Sequence, residues 1–128
     1  MAKSSKTSLT SSQSAAAVGP YSPGIVSGDL VFLSGQIALD AAGDVVGATA
    51  AEQARQALAN MRLLLAEQGL AMDDVVKTTI FMTDLNDFAT VNEVYASFFD
   101  KPFPARSTVQ VAALPKGVKV EIEAIARS

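Results

Sequence analysis

The sequence predicts a single α+β domain in which two helices cover one face of one β-sheet. The chain has 128 residues, 49% of them apolar, which suits one domain with one core. Apolar residues recur at helical spacing in two segments, and β-branched or apolar runs lie around them. The resulting order is β-β-α-β-α-β-β. Because two helices cover only one face of such a sheet, the other face meets solvent or another chain.

Residues 1–17 read as a mobile arm in front of one domain over residues 18–128. The arm is rich in Ser, Ala and Lys without apolar periodicity, so we expect that removing residues 1–15 changes neither assembly nor activity. It lacks the apolar stretch of a secretory signal, and no run in the chain approaches the roughly 18 residues of a membrane helix. These features predict a cytoplasmic protein with no membrane partner.

The first half of the domain reads as a hairpin followed by a long helix. Gly28-Asp29 separates two β-rich runs, near 23–27 and 30–38, and Gly35 interrupts the second. A glycine there weakens the strand but lets another group approach its backbone. Thr49 and Glu52 form a capping box for the helix, and Gly69 is placed to end it.

The second half reads as a strand, a shorter helix and a closing hairpin. The segment 73–84 is β-branched and apolar, which is typical of a strand. Asn86 or Asp87 is placed to cap the helix, whose inward residues are Phe88, Val91, Tyr95, Phe98 and Phe99, with Asn92 on or beside this stripe. Strands over 106–114 and 118–126 follow, joined by a turn at 115–117.

The closing hairpin predicts that Arg106 and Glu121 share a face. If Ala113 pairs with Val118, Arg106 lies opposite Ile125, four residues from Glu121. At about 3.3 Å per residue the two charges are roughly 13 Å apart along the strand, too far for a bidentate pair. That face is mixed in polarity, which suits either solvent or a subunit interface.

Missing residue types restrict the chemistry more than any motif. The chain has no Cys and no His, which excludes a thiolate nucleophile, a Ser-His-Asp triad and zinc sites built on either residue. Acid–base work therefore falls to carboxylates, Tyr, Lys or bound water. A net charge of −3 and a pI near 4.8 argue against a nucleic-acid partner.

Taken singly, the candidate residues each have an ordinary structural explanation. Arg106 and Glu121 are both compatible with solvated surface charges, and Tyr21 with a core aromatic. Ser34-Gly35 is compatible with a bulge, whereas Asn92 on an apolar stripe needs a partner for its amide. Local sequence alone leaves these alternatives open.

Seven stretches taken in order resemble the RidA/YjgF family of imine deaminases, also known as L-PSP-type endoribonucleases. The resemblance runs from Gly19 to Arg127 and rests on "GPYS", "SGQI", "QARQAL", "VVKTTIFMTDLNDFATVN", "FPARS", "ALPKG" and "VEIEAIA". It implies the chorismate-mutase-like α+β fold and a homotrimer with ligand clefts between subunits. It also implies hydrolysis of reactive 2-imino acids, or of their enamine tautomers such as 2-aminoacrylate, to 2-oxo acids and ammonium, without metal or cofactor.

The resemblance also implies roles for individual residues. Arg106 grips the substrate carboxylate and Glu121 holds the attacking water, while Tyr21 lines the cleft. Gly35, with Ser34 beside it, brings backbone close to the ligand. Two further residues, Asn92 and Thr108, belong to the binding site. Many relatives have a cysteine at the position of Thr108, so thiol-dependent behaviour does not carry over. The loop over 98–107 is also shorter than in many relatives, which puts its shaping of the cleft in doubt.

Two other functions compete with the deaminase reading. A trimer that senses 2-oxo acids would use Arg106 equally well, but has no need of a second carboxylate at Glu121. The older family label, endoribonuclease or translation inhibitor, fits poorly with the acidic pI and the lack of histidine.

Overall fold

The computed structural model describes residues 5–128, which form one six-stranded sheet carrying two helices. The helices are α1 (Ala50–Glu67) and α2 (Phe88–Ala96). The strand order is β1-β2-β3-β6-β4-β5, in which β4 and β5 run parallel and the other neighbours antiparallel. The predicted α+β class with one sheet and two helices is confirmed. The strands are β1 (Thr7–Leu9), β2 (Gly24–Ser27), β3 (Leu30–Gln36), β4 (Val75–Met82), β5 (Ala105–Gln110) and β6 (Val120–Arg127).

Helix α1 begins at the predicted capping box and ends before the predicted glycine. The Glu52 N–H donates to Thr49 Oγ1 at 3.1 Å, and the Thr49 N–H donates to Glu52 Oε1 at 3.2 Å. The Thr49 hydroxyl, which donates to Glu52 Oε1 at 2.9 Å, and then the Thr49 N–H lower the pKa of Glu52. Gly69 has a φ of 72°, the left-handed conformation that favours glycine just after a helix. The face packed on the sheet is fully buried at Ala54, Ala57, Leu58, Met61, Leu64 and Leu65.

Helix α2 is shorter and less buried than its apolar stripe predicts. A 3-10 turn over Leu85–Asp87 precedes it, and the Asp84 side chain accepts from the Asn86 N–H at 2.9 Å. The stripe is buried at Val91 and Tyr95, but Phe88 is exposed. Phe side chains are usually buried. Because Phe88 is exposed instead, its ring can contact a charged group.

The predicted hairpin between the last two strands is wrong. β5 lies at the sheet edge and pairs in parallel with β4, while β6 lies between β3 and β4. A parallel pair needs a crossover, and α2 supplies it between β4 and β5. β6 buries alternate apolar residues, which suits a central strand. β5 carries four polar residues, which an edge strand tolerates: Arg106, Ser107, Thr108 and Gln110.

This topology reverses the predicted facing of β5. Arg106 lies opposite the buried Thr78 of β4, so its side chain faces the helices. Glu121 lies opposite Phe81 on the face that the helices leave open. In the described chain, Arg106 and Glu121 therefore lie on opposite faces of the sheet.

The predicted arm also differs from the structure, because residues 7–9 form a strand. β1 pairs with β2, with Leu9 opposite Gly24 and 5% exposed in the core. A Cβ on Gly24 would lie 3.2 Å from the Leu9 Cβ, so the glycine makes room for this strand. Residues 5–18 are called the N-terminal strap below. Residues 1–4 of the predicted arm lie outside the described residues.

The open face of the sheet combines apolar and charged side chains. Phe32 and Val109 are each 41% exposed on it. A groove of about 420 Å³ runs over this face, with Lys77, Glu123 and Ile125 in its lining. Among residues 5–128, neither helix has the length and hydropathy that crossing a membrane requires.

Candidate active site

The Arg106 side chain is held in place by helix α2. Its Nη1 donates to Asn92 Oδ1 at 2.7 Å. The guanidinium carbon lies 4.8 Å from the ring centroid of Tyr95 and 5.6 Å from that of Phe88, both within cation–π range. A guanidinium has five N–H donors in a planar fork. One contact to Asn92 and two to ring faces therefore leave an edge of Arg106 available for a planar anion.

Tyr95 is itself fixed from below. Its hydroxyl forms a buried hydrogen bond of 2.7 Å with Thr78 Oγ1 on β4, and its ring packs on Phe99 at 4.6 Å between centroids. Burial raises the pKa of Tyr95, although Thr78 and Arg106 act in the opposite direction. The phenol therefore stays neutral and serves Arg106 as a platform rather than as a counter-ion.

Thr108 lies on the same face of β5 as Arg106 but outside the lining of the cavity beside it. It is the next residue after Arg106 on β5 to face the helices, opposite Ile80. Its Oγ1 is buried and has no hydrogen-bond partner within residues 5–128. A cavity of about 430 Å³ opens beside Arg106, with Asn92, Tyr95, Phe103 and Pro104 in its lining. These residues form what we call the arginine half-site.

Glu121 lies in a second cavity, of about 210 Å³, on the open-face side of the sheet. Burial, and then repulsion from Glu123, raises the pKa of its carboxyl group. Gly35 makes room for it, since a Cβ there would lie 2.5 Å from Glu121 Oε2. Tyr21 lines the same cavity and is 54% exposed. We call this group the glutamate half-site.

Ser34 supports the glutamate half-site through the backbone rather than by lining its cavity. Its Oγ donates to Ser22 O at 2.6 Å, and its N–H donates to Pro23 O at 2.9 Å. Both bonds hold the segment that carries Tyr21. The β3–β6 register shifts between Leu33 and Gln36, so the predicted irregularity at Ser34-Gly35 is confirmed.

The two half-sites do not meet within one chain. From Glu121 the sheet leads across Phe81 to Val109 on β5, and Arg106 lies three residues further along. With about 4.8 Å between strands and about 3.3 Å per residue, their Cα atoms are roughly 14 Å apart. The side chains also point to opposite faces. Each chain thus carries Arg106 and Glu121 in two separate cavities.

Comparison with known proteins places this arrangement in a family. A family model described as Endoribonuclease L-PSP matches residues 11–128. The YjgF gene product of E. coli has a crystal structure that matches with a TM-score of 0.89 and 48% identity, covering 94% of this chain and 98% of that one. The chain belongs to the RidA/YjgF family.

Other members of the RidA/YjgF family are similarly close. A 2-iminobutanoate/2-iminopropanoate deaminase of Salmonella typhimurium is 52% identical over 114 residues, 87% of this chain and 89% of the relative. The human protein of the same name is 45% identical over 119 residues, 92% and 87% of the two chains. The crystal structure of E. coli TdcF with bound serine matches with a TM-score of 0.90 at 46% identity, covering 95% and 98%.

Sequence reasoning missed part of the glutamate half-site in this RidA/YjgF chain. Strap residues 15–18 line its cavity, as do Asn60 and Lys116. Lys116 has a φ of 56°, which is uncommon outside glycine, and its Nζ donates to Gly43 O at 2.7 Å. The low-complexity composition of the strap gives no local signal of this role. Asn60 lies on the apolar face of a helix and needs partners there, and that was the one available signal.

Proposed function

We propose that this protein hydrolyses 2-imino acids, and the enamines in equilibrium with them, to 2-oxo acids and ammonium. The observation that carries the proposal is the pairing of chemistries in the two half-sites. The arginine half-site offers a preorganised guanidinium edge that can bind a carboxylate. The glutamate half-site offers a partly buried carboxyl group that can position and deprotonate water. Relatives at 45% and 52% identity bear the name 2-iminobutanoate/2-iminopropanoate deaminase, which supports the same reaction here.

Arg106 binds the substrate carboxylate in this proposal. Guanidinium and carboxylate are both planar, so two parallel N–H···O bonds fix the orientation of the substrate as well as its position. Asn92, Tyr95 and Phe88 hold the guanidinium in place before the ligand arrives.

Glu121 positions and deprotonates the attacking water. The water oxygen bonds to the electrophilic imine carbon, the C=N π pair moves to nitrogen, and the water proton passes to the Glu121 carboxylate. Glu121 returns this proton to the nitrogen, which gives the carbinolamine. The hydroxyl proton then passes through Glu121 to the nitrogen as the C–N bond breaks and the C=O bond forms, and the released ammonia takes a proton from solvent to become ammonium. Burial raises the pKa of Glu121, which brings its basicity closer to what this proton transfer requires.

We further propose that a second copy completes each site, in a closed ring of three chains. The arginine half-site, on the helix side of the edge strand β5 in one copy, then meets the glutamate half-site of its neighbour. A head-to-tail contact of this kind uses two different patches, and it closes into a ring when the rotation fits. The mixed polarity of the open face and its exposed Phe32 and Val109 suit such an interface.

A ligand-binding role without chemistry is the second candidate. E. coli TdcF, 46% identical to this chain, has a structure with bound serine, a small carboxylate that is not an imine. Arg106 serves either function. Glu121 separates them, because binding a carboxylate gains nothing from a second carboxyl group nearby.

Two substitutions test the proposal. Arg106→Ala should weaken 2-oxobutanoate binding by about 1.5–3 kcal/mol, the range for hydrogen bonds to charged groups, and Arg106→Lys should rescue only part of it. Glu121→Gln should leave that binding intact, yet lower turnover of 2-aminoacrylate, generated from serine by a dehydratase, on the order of a hundredfold. Full turnover by Glu121→Gln would support the binder instead, and unchanged binding by Arg106→Ala would remove the carboxylate anchor.

A further inference from the structure

The N-terminal strap forms one wall of the cavity that holds Glu121. Residues 15–18 line that cavity together with Tyr21, Ile37 and Leu39. Within the strap, Ala15 and Ala17 are half-buried, whereas Ala16 and Val18 are exposed. This alternation is typical of an extended segment with one side against the protein. The methyl groups of Ala15 and Ala17 are therefore on the inner side.

The strap is anchored ahead of these alanines. Leu9 of β1 is buried in the core and pairs with β2. A turn follows, in which the Ser14 N–H donates to Ser11 O at 3.3 Å and the Gln13 N–H donates to Ser11 Oγ at 3.1 Å. Ser11 and Ser14 are each only 9% exposed. Because the chain is fixed before residue 15 and again near Tyr21, the alanine wall has a defined position.

The polar side chains of this cavity wall are mostly engaged elsewhere. Asn60 Nδ2 donates to Ile37 O at 3.1 Å and to Leu39 O at 2.9 Å, and its Oδ1 accepts from Gln56 at 3.0 Å. Lys116 Nζ donates to Gly43 O. Apart from Glu121 and Tyr21, the wall therefore presents mainly hydrocarbon to a ligand. At about 210 Å³ the cavity is also smaller than the roughly 300–1,000 Å³ of sites for drug-sized ligands.

We propose that Ala15 and Ala17 of the strap set the upper size of the substrate side chain, which is short and uncharged. This inference rests on the proposed function, which places the carboxylate at Arg106 and the imine carbon beside Glu121. The substituent on that carbon then enters the space between Glu121 and the strap. An acidic side chain is disfavoured because Glu121 repels a second carboxylate.

The test compares side-chain length profiles. An amino-acid oxidase with catalase generates imines in situ from alanine, 2-aminobutanoate, norvaline, norleucine and glutamate, and their decay is followed with and without protein. The protein should favour the short apolar imines over the norleucine and glutamate imines. Ala17→Leu, or Ala15→Leu, should cut kcat/KM for the norvaline imine about tenfold or more through a raised KM, while the alanine imine changes about twofold or less.

Ala66→Leu is the matched control, since Ala66 is exposed on α1 and the same change there should leave the profile as it is. Thermal unfolding of each variant shows whether the fold is kept. If both strap variants hydrolyse all five imines in the wild-type ratio, the wall assignment is overturned.

A calorimetric series keeps this result separate from the proposed function. Pyruvate, 2-oxobutanoate and 2-oxopentanoate are titrated into the same variants, so the wall is measured without any chemistry. Loss of 2-oxopentanoate binding alone in Ala17→Leu supports the size limit even where no imine is hydrolysed, in which case only the deaminase proposal fails. Equal losses for all three acids, or none, contradict the size limit.

Discussion

Asn92 controls how much of the Arg106 guanidinium is available to a ligand. Its Oδ1 accepts a hydrogen bond of 2.7 Å from Nη1 and carries no net charge. A neutral acceptor holds the Arg106 guanidinium in place without neutralising its charge, so the positive charge stays available for an incoming carboxylate. The aromatic rings of Tyr95 and Phe88 likewise contact the cation without supplying an anion.

Asn92→Asp should separate ligand binding from stability. It places a carboxylate against Arg106, so the new ion pair competes with the ligand and repels it. We expect 2-oxobutanoate binding to weaken on the order of tenfold or more, with a melting temperature that is unchanged or higher. Calorimetry and thermal unfolding measure the two effects. Asn92→Ala is the control, with a smaller loss of binding, and an Asp variant that binds like the wild type would contradict the argument.

The raised pKa of Glu121 predicts how the stability of the fold depends on pH. Folding favours the neutral carboxyl group, so this residue costs no stability below the ordinary pKa of Glu, and the cost develops as pH rises through the higher folded pKa. Glu121→Gln should therefore raise the melting temperature at pH 7 but not near pH 3.5. Glu52→Gln is the matched control and should lower it at pH 7, because the pKa of Glu52 is lowered. A lower melting temperature of Glu121→Gln at pH 7 would contradict the claim that burying the Glu121 carboxylate costs stability.

At the scale of elements, the strap joins the sheet to the candidate site. β1 adds an edge strand beside β2, and the residues that follow it wall the cavity of Glu121. The expectation that residues 1–15 are dispensable followed from composition. The burial of Leu9 reverses that expectation, because a truncation to residue 15 removes a core side chain and a paired strand.

Leu9→Ala should lower the free energy of unfolding by about 2–3 kcal/mol, the lower part of the range for emptying a buried leucine site. Ser8→Ala, an exposed change in the same strand, should stay within about 0.5 kcal/mol. Denaturant unfolding of both variants, and of a chain lacking residues 1–10, gives the comparison. Wild-type stability of the truncated chain would show that β1 contributes nothing.

At the scale of the whole molecule, the two half-sites predict complementation between inactive variants. A cleft shared by two copies needs Arg106 from one and Glu121 from the other. When Arg106→Ala and Glu121→Gln chains are co-expressed in equal amounts, about a quarter of the clefts in random rings receive both intact halves.

The unsorted mixture should therefore recover about a quarter of wild-type turnover, and rings that contain both chains about a third, because each such ring has one intact cleft in three. Each variant alone should be impaired. Two affinity tags isolate rings that contain both chains, and light scattering checks that they contain three. A refolded sample of each single variant is the control. If the mixture is no more active than its components, or the wild type is a monomer at micromolar concentration, the shared cleft is refuted.

The elements that depend on local chemistry were predictable from the residues alone. Thr49 and Glu52 start α1 through hydrogen bonds within one turn. Gly69 follows the end of α1 because its φ of 72° is a left-handed conformation that favours glycine. The residue types of the candidate site, Arg106 and Glu121 among them, were also identifiable, but only through an ordered set of motifs. Neither residue was distinguishable from a surface charge on local evidence.

Which of these residues lie close to one another in space depends on the tertiary structure. Pairing between distant strands depends on the whole sheet, so the sequence pattern over 106–126 was equally compatible with a hairpin. The structure inserts β6 between β3 and β4 and puts β5 at the edge, which separates Arg106 from Glu121 on opposite faces. Likewise, the place of the strap follows from the space that Gly24 leaves for Leu9, a contact between residues 15 positions apart that no local pattern encodes.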